Sequence, residues 1–597
     1  GTDINKGFRF IGSLYAEVKF LNDFTFKSSV FADLGFNNSR SYTPLPFTFI
    51  NQGEGTAPTT SFFDNTVRTG VSQEMAEFKR YQQDHTLTYD KKLGDGHKLT
   101  ALVGFTSIYS VSTNINGNRR DTSVNVPNNP DFWYISTINA NNPGLYGGGG
   151  GESAIMGMFG RLSYAYQNKY LVNATLRRDG SSKFAPQNRW GTFGSVGLGW
   201  IASEESFVRK FNFINFLKLR AAWGETGNAN GFADNLFRPG ISNASTAIFG
   251  NNVYTAIQAA YIPDPNLRWE VVRGLDIGFD LKTLRNRLNV EFTYYNRTTS
   301  DILTAVTLPN ETRSYFTNLG KITNQGIELS LNWTDKIGKD ITYSIAPNFS
   351  YNKNTVNSIG DKINFQLFGN GGANLTETGQ SIGYFFGYRQ IGIYQSTAEL
   401  GKMARFNNSL PGDIAYADIN GDGLLTPADR TYLGTPFPPY SYGLNINVAY
   451  KGFDFTIEGQ GVAGNKIYTQ RRIANFATLN YEANRLNAWT GGGTTNVEPI
   501  LDNTRGNNFL FSSYYLEPGD YFRLRTLQIG YTFSEGLLRR VGISKARVFV
   551  NGQNIKSWSQ VTGYSPEAQI GSILGGGADN GTFPVPAVYS MGINVTF

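Results

Sequence analysis

The sequence predicts an all-β chain, a large antiparallel transmembrane β-barrel with long loops on one side. Three observations carry this reading. Apolar and polar residues alternate with a period of two in segment after segment, and the links between segments are short and long in turn. No window holds the roughly 20 consecutive apolar residues that a spanning helix requires. The composition agrees, with 44 Phe, 33 Tyr and 68 Gly in 597 residues and no Cys, a profile of aromatic strands joined by glycine-rich connections.

The alternation begins near the amino end. Phe8, Phe10, Leu14, Ala16, Val18 and Phe20 fall on one face, and Arg9, Ser13, Glu17 and Lys19 fall on the other. The same pattern recurs at Leu275, Ile277, Phe279 and Leu281 against Asp276 and Asp280, and at Leu288, Val290, Phe292 and Tyr294 against Asn289, Glu291 and Thr293. About 17 strands are predicted, near residues 8–20, 24–40, 71–91, 96–114, 154–167, 169–178, 189–201, 213–226, 268–282, 288–303, 315–334, 340–356, 439–450, 453–464, 520–533, 544–557 and 587–597. Short links such as Leu21-Asn22-Asp23, Gln167-Asn168 and Lys451-Gly452 are expected on the periplasmic side, with the long loops outside the cell. In that orientation the first strand runs inward, and five further strands ahead of it would complete the 22 of a plugged transporter barrel.

Two local features support a lipid setting. Trp190 and Trp200 share a face ten positions apart. At roughly 3.3 Å per residue and a 45° tilt, that separation spans about 23 Å of membrane, close to the distance between aromatic girdles. Tyr589, Met591, Ile593, Val595 and Phe597 alternate with polar residues up to the last position, as expected of a strand that closes a barrel. The chain opens on polar residues at Gly1 with no signal peptide, which is the expectation for a processed precursor or a start inside a longer protein.

Several function classes are excluded. The net charge of +7 comes from scattered Lys and Arg rather than from a stripe, so no nucleic-acid partner is expected. With His85 and His97 as the only histidines, neither a histidine metal site nor a Ser/His/Asp hydrolase is legible. The chain is read as no enzyme.

Ordered strings then carry a resemblance. They include Arg9-Phe10-Ile11-Gly12, Arg178-Asp179-Gly180-Ser181-Ser182-Lys183-Phe184 and Leu217-Lys218-Leu219-Arg220 leading to Trp223-Gly224-Glu225-Thr226-Gly227-Asn228. Asn324-Gln325-Gly326-Ile327-Glu328-Leu329, Asp418-Ile419-Asn420-Gly421-Asp422-Gly423 and Asn551-Gly552-Gln553-Asn554 follow. Over essentially the whole of residues 1–597 the chain resembles the C-terminal barrel portion of the SusC/RagA-type TonB-dependent outer-membrane transporters. The resemblance implies import of oligosaccharides or peptides with a SusD-like surface lipoprotein over the barrel mouth. It also implies energy from TonB-ExbB-ExbD through an N-terminal plug and contact segment that these residues do not include. The alternative is an outer-membrane barrel that scaffolds surface-exposed or adhesive complexes.

One motif suggests a cofactor. Asp418, Asn420, Asp422, Gly423, Leu424, Thr426 and Asp429 occupy positions 1, 3, 5, 6, 7, 9 and 12 of a calcium loop, within a long outside segment at 357–438. Position 12 is Asp where the longer Glu is usual, so weak Ca2+ affinity is expected; the same residues also suit an Asx-rich turn. The glycine runs at 147–151 and 491–493 are expected to be flexible loop, and Glu204 and Glu205 a solvated pair in a periplasmic turn. Leu537, Leu538 and Val541 beside Arg539 and Arg540 suggest a short amphipathic turn at the periplasmic rim. Phe47, Phe49, Phe62, Phe63, Phe132, Trp133 and Tyr134 are loop aromatics that either stack on substrate or pack under a lid. Substrate-binding residues are not legible.

Overall fold

A computed structural model describes the chain except residues 1, 44–47, 51–59, 63–68, 122–128, 138–144, 230–235, 251, 308–312, 361–366, 475–481, 535, 537–541 and 568–572. One antiparallel sheet contains 17 strands. In chain order they are β1 Thr2–Phe20, β2 Phe24–Thr43, β3 Thr69–Lys92, β4 His97–Asp121, β5 Leu145–Tyr166 and β6 Tyr170–Ser181, then β7 Trp190–Ile201, β8 Ile214–Asn228, β9 Glu270–Thr283, β10 Leu288–Ser300, β11 Lys321–Ile337 and β12 Ile341–Ser358. The last five are β13 Tyr440–Tyr450, β14 Phe453–Ala463, β15 Tyr521–Thr532, β16 Lys545–Ser559 and β17 Val588–Thr596. Each corresponds to an expected strand.

The chain divides into two compact units. The first comprises Gly1–Val196, Glu225–Val271 and Leu303–Asn318; the second comprises Gly197–Gly224, Val272–Ile302 and Leu319–Phe597. In the first unit each strand from β1 to β6 pairs antiparallel with the next, and in the second unit β10 to β17 do the same. The meander follows from the links: Leu21 and Asn22, Gln167 and Asn168, and Lys451 and Gly452 all adopt positive φ, the turn conformation whose twist matches paired strands.

Register puts the apolar sets in continuous rows. Phe292 pairs with Leu329, and Leu329 with Phe349; Val548 pairs with Ile593 and Val550 with Met591. Phe292, Leu329 and Phe349 are half-buried, and in the second row Val550 is 62%, Met591 86% and Ile593 70% exposed. A contiguous apolar surface of this kind requires an apolar solvent. Aromatic rings collect where strands meet the short turns. Phe20 stacks on Phe24 at 5.6 Å, Tyr166 on Tyr170 at 6.2 Å, and Phe453 lies 4.7 Å from Tyr531, as in a girdle at a membrane interface. Trp200 stands there beside Phe207 at 6.4 Å.

Two expectations are corrected. Gly147–Gly151 is not a loop but part of β5, paired residue by residue from Gly147↔Asn116 to Gly151↔Ser112. An added Cβ at Gly148 or Gly150 would sit 3.0 Å from the carbonyl of Asn114 or Ser112, so the bare backbone fits against β4. The single strand expected over 315–334 is broken at Gly320, with φ +87: Ser314–Asn318 instead forms a hairpin with Leu303–Thr307. The amphipathic turn at Leu537–Val541 lies outside the described residues.

The long outside segment at 357–438 is not a bare loop either. In the second unit its residues share a core with parts of 466–518: Phe385, Tyr416 and Tyr515 are almost wholly buried, joined by Tyr388, Tyr468 and Tyr514. Tyr416 donates to the Asn507 carbonyl at 2.8 Å, Tyr514 to Glu498 at 2.7 Å and Tyr515 to the Asn508 carbonyl at 2.5 Å, which offsets desolvation of these hydroxyls. Arg485 pairs with Glu498 at 3.2 Å and donates to the Arg472 carbonyl at 2.9 Å; Arg472 reaches Glu517 at 2.9 Å.

Two outcomes follow. Leu329→Arg, on the apolar face, is expected to cost about 2–4 kcal/mol of folding in vesicles, while Ser330→Arg on the opposite face costs little; urea titration of refolded protein measures both. Arg485→Leu strands Glu498 as a buried charge and is expected to destabilise the outer module by about 3–5 kcal/mol, with most recovered in Arg485→Leu/Glu498→Leu. Protease protection of residues 367–518 reads this without interference from the sheet.

Candidate functional site

Opposite the apolar rows, the sheet carries a polar face built from charged pairs. In the first unit Ser29, Asp84, Thr106, Gly157 and Asp179 stand in one cross-strand row. Arg9 clamps Asp33 through two hydrogen bonds of 2.6 Å, Thr106 donates to Asp84 at 2.6 Å, and Arg177 donates to Asp179 at 2.6 Å. Gly157 makes room for this: a Cβ there would lie 2.2 Å from the Asp179 carboxylate. The second unit repeats the chemistry. Arg220 donates to Thr293 at 2.6 Å and to Asp280 at 3.1 Å. Arg547 holds Asp454 at 2.5 and 2.9 Å, and Tyr295 donates to Asn352 at 3.0 Å.

Pairs of this partly exposed kind contribute about 0–1 kcal/mol each, too little to explain so many of them as stability devices. Their effect is to line one face with fixed donors and acceptors. Such a surface is polar and holds its charges in fixed positions.

The outer module of the second unit carries its own set of polar contacts. Arg430 donates to the carbonyls of Gly372 and Phe386 at 2.6 and 2.9 Å and lies over the Phe386 ring at 4.6 Å. Burial pushes the Tyr394 and Tyr468 phenols up to about 12, so both remain neutral donors. Burial also raises Asp413 above the usual carboxylate range, against the pull of the Leu410 N–H and Arg505.

The calcium-like residues do come together in one turn. Asp418 accepts the N–H groups of Gly421 and Gly423 at 2.7 and 2.8 Å, and Asp422 accepts that of Leu424 at 2.8 Å. Asn420 donates to Asp422 at 2.9 Å. Asp429 is fully buried and accepts from Ile419 at 2.9 Å and Thr426 at 2.8 Å. Burial pushes its pKa up, but the N–H groups of Thr426, Ile419 and Asn420 outweigh that and hold it below the ordinary value. Among the described residues no group of three or more His, Cys, Asp or Glu is arranged to hold a metal ion.

Other expected site residues separate. Trp133 is 1% exposed and stacks on Tyr42 at 5.5 Å, so it is a packing residue. Tyr134 lies under Arg40 at 4.5 Å, and Phe132 is exposed. Phe47 and Phe63 lie outside the described residues, as do the side chains of Phe49 and Phe62. Gly491–Gly493 sits in a turn, where the Gln395 side chain accepts the Gly493 N–H at 2.8 Å. Glu204 pairs with Arg209. Sequence reasoning missed Arg430, Arg472 and Arg485; a run of arginines inside an aromatic-rich outside segment was the available signal.

Comparison with known proteins places this architecture. A sequence model described as TonB dependent receptor-like, beta-barrel matches residues 3–451. TonB-dependent receptor P3 of Formosa agariphila is 31% identical over 471 residues, covering 75% of this chain and 46% of that protein. TonB-dependent receptor SusC of Bacteroides thetaiotaomicron is 28% identical over 474 residues, covering 75% and 44%. The chain thus spans about half the length of these curated relatives. Among solved structures, that of the RagAB peptide transporter superposes with a TM-score of 0.83 at 21% identity, over 100% of this chain and 62% of that one, which fixes the fold. With its apolar rows, girdle and polar face, the chain belongs to the TonB-dependent receptor-like β-barrel family of the bacterial outer membrane, a family of receptors and transporters rather than enzymes.

Proposed function

We propose that the protein of which this chain is the barrel portion is an energised outer-membrane importer of oligosaccharides or peptides. It works with a SusD-like surface lipoprotein, and a TonB-contacting plug belongs to the same protein. The observation that carries the reading is the division of the sheet into an apolar face and a face of fixed ion pairs, beside a folded module with its own core in the second unit. The sheet gives a polar path, and the module gives a firm surface on which a partner can seat. SusC and RagAB bear names consistent with this reading.

Calcium at the Asp418–Asp429 turn is a secondary part of the proposal. The oxygens of Asp418 and Asp422 each accept one hydrogen bond and keep a lone pair, whereas both oxygens of the short Asp429 already accept two, which leaves affinity weak.

Purification from outer membranes is expected to recover a surface lipoprotein identifiable by mass spectrometry, and disruption of the gene to abolish growth on one oligosaccharide or peptide class. Recovery of adhesive proteins with undiminished uptake of every class tested would point to a scaffold instead. Calorimetric titration with calcium is expected to give a midpoint on the order of millimolar, lost in Asp418→Asn/Asp422→Asn; absence of heat removes the ion.

A further inference from the structure

The short-turn end of the second unit forms one continuous rim. The Leu284 N–H bonds the Phe213 carbonyl at 3.1 Å, and the Thr334 N–H bonds the Arg287 carbonyl at 2.8 Å. Lys451 pairs with Asp340 at 3.5 Å, and the Thr532 N–H bonds the Gly452 carbonyl at 2.8 Å. These contacts tie together the turns at 202–213, 284–287, 338–340 and 451–452.

The rim is basic and greasy at once. Arg209, Arg287 and Lys451 have carboxylate partners in Glu204, Asp335 and Asp340. Lys210, Arg285, Lys336 and Lys339 are exposed and make no ion pair among the described residues. Arg285 is held at a turn tip by left-handed backbone at Leu284, Arg285 and Asn286, with φ of 56, 62 and 61, a conformation that costs about 1–2 kcal/mol per residue. Beside Lys210, a single helical turn is closed by the N–H groups of Val208 and Arg209 donating to the Glu205 carbonyl at 3.1 and 3.0 Å. Val208 is buried, while Phe207, Phe211 and Phe213 are 55%, 51% and 57% exposed. Phe207 lies 6.4 Å from Trp200 and Phe211 6.0 Å from Phe213, an aromatic cluster of the kind found where hydrocarbon gives way to headgroups.

We propose that this rim is a recognition surface for anionic phospholipid headgroups of the periplasmic leaflet. The phenylalanine wedge enters the acyl region, and the unpaired Lys210, Arg285, Lys336 and Lys339 meet headgroup phosphates. Zwitterionic lipid would satisfy the wedge but not the surplus positive charge. Each basic group near an anionic surface strengthens binding about fivefold, and the gain is screened by salt.

The test is native mass spectrometry of the purified protein released from mixed micelles holding equal amounts of dioleoyl phosphatidylglycerol and dioleoyl phosphatidylethanolamine. Phosphatidylglycerol is expected to be retained over phosphatidylethanolamine by about fivefold or more. The preference is expected to fall with added salt, to survive an equal concentration of inorganic phosphate, and to vanish in Lys210→Ser/Arg285→Ser/Lys336→Ser/Lys339→Ser. Arginine at the three lysine positions is expected to keep it. Equal retention of the two lipids by the natural chain overturns the proposal whether or not the serine variant folds. Displacement by inorganic phosphate, or a preference unchanged in a folded serine variant, overturns it as well.

Discussion

The structure depends on one constraint: backbone N–H and C=O groups cannot be left unpaired in hydrocarbon, so a chain that crosses it as strands must pair each strand with a neighbour. Pairing fixes register, and register fixes which side chains share a face. Phe292, Leu329 and Phe349 meet in one row, and Asp84, Thr106 and Asp179 meet in another, because both sets inherit the same two-residue period. The apolar face answers to lipid, and the polar face carries the paired charges. Neither can be altered by a one-residue slip without inverting the other.

The polar face is costly to build, which is informative. Charged pairs such as Arg9–Asp33 and Arg547–Asp454 add little stability where they are partly exposed, and glycines give up side-chain packing to admit them. Gly157 yields its place to Asp179, and a Cβ on Gly278 would come within 3.1 Å of the Arg220 guanidinium. A sheet selected for stability alone would place small apolar residues there. The arrangement keeps one face of the sheet polar with its charges paired.

The strands were legible because alternation is a local property. Every expected strand is present, and errors arose where local signal and pairing disagree. Gly147–Gly151 has the composition of a loop, yet the edge of β4 recruits it as strand. Ser314–Asn318 and Lys321–Ile337 read as one run because the period continues across Gly320, whose left-handed backbone separates them. The outer module was not legible as a folded body. Its core joins Phe385 and Tyr416 to Tyr468 and Tyr515, distant in sequence and without periodicity. Trp133 read as a free loop aromatic because nothing local reveals that Tyr42 lies beneath it. The Asp418–Asp429 turn was legible as a turn.

The absence of native Cys makes the central claim directly measurable. Single cysteines placed in turn from Ile327 to Trp333, spin-labelled and reconstituted in vesicles, report contact with dissolved oxygen in lipid and with a polar nickel chelate in water. Oxygen accessibility should peak at Ile327, Leu329, Leu331 and Trp333 and chelate accessibility at Glu328, Ser330 and Asn332. A profile in which odd and even positions behave alike would contradict the account.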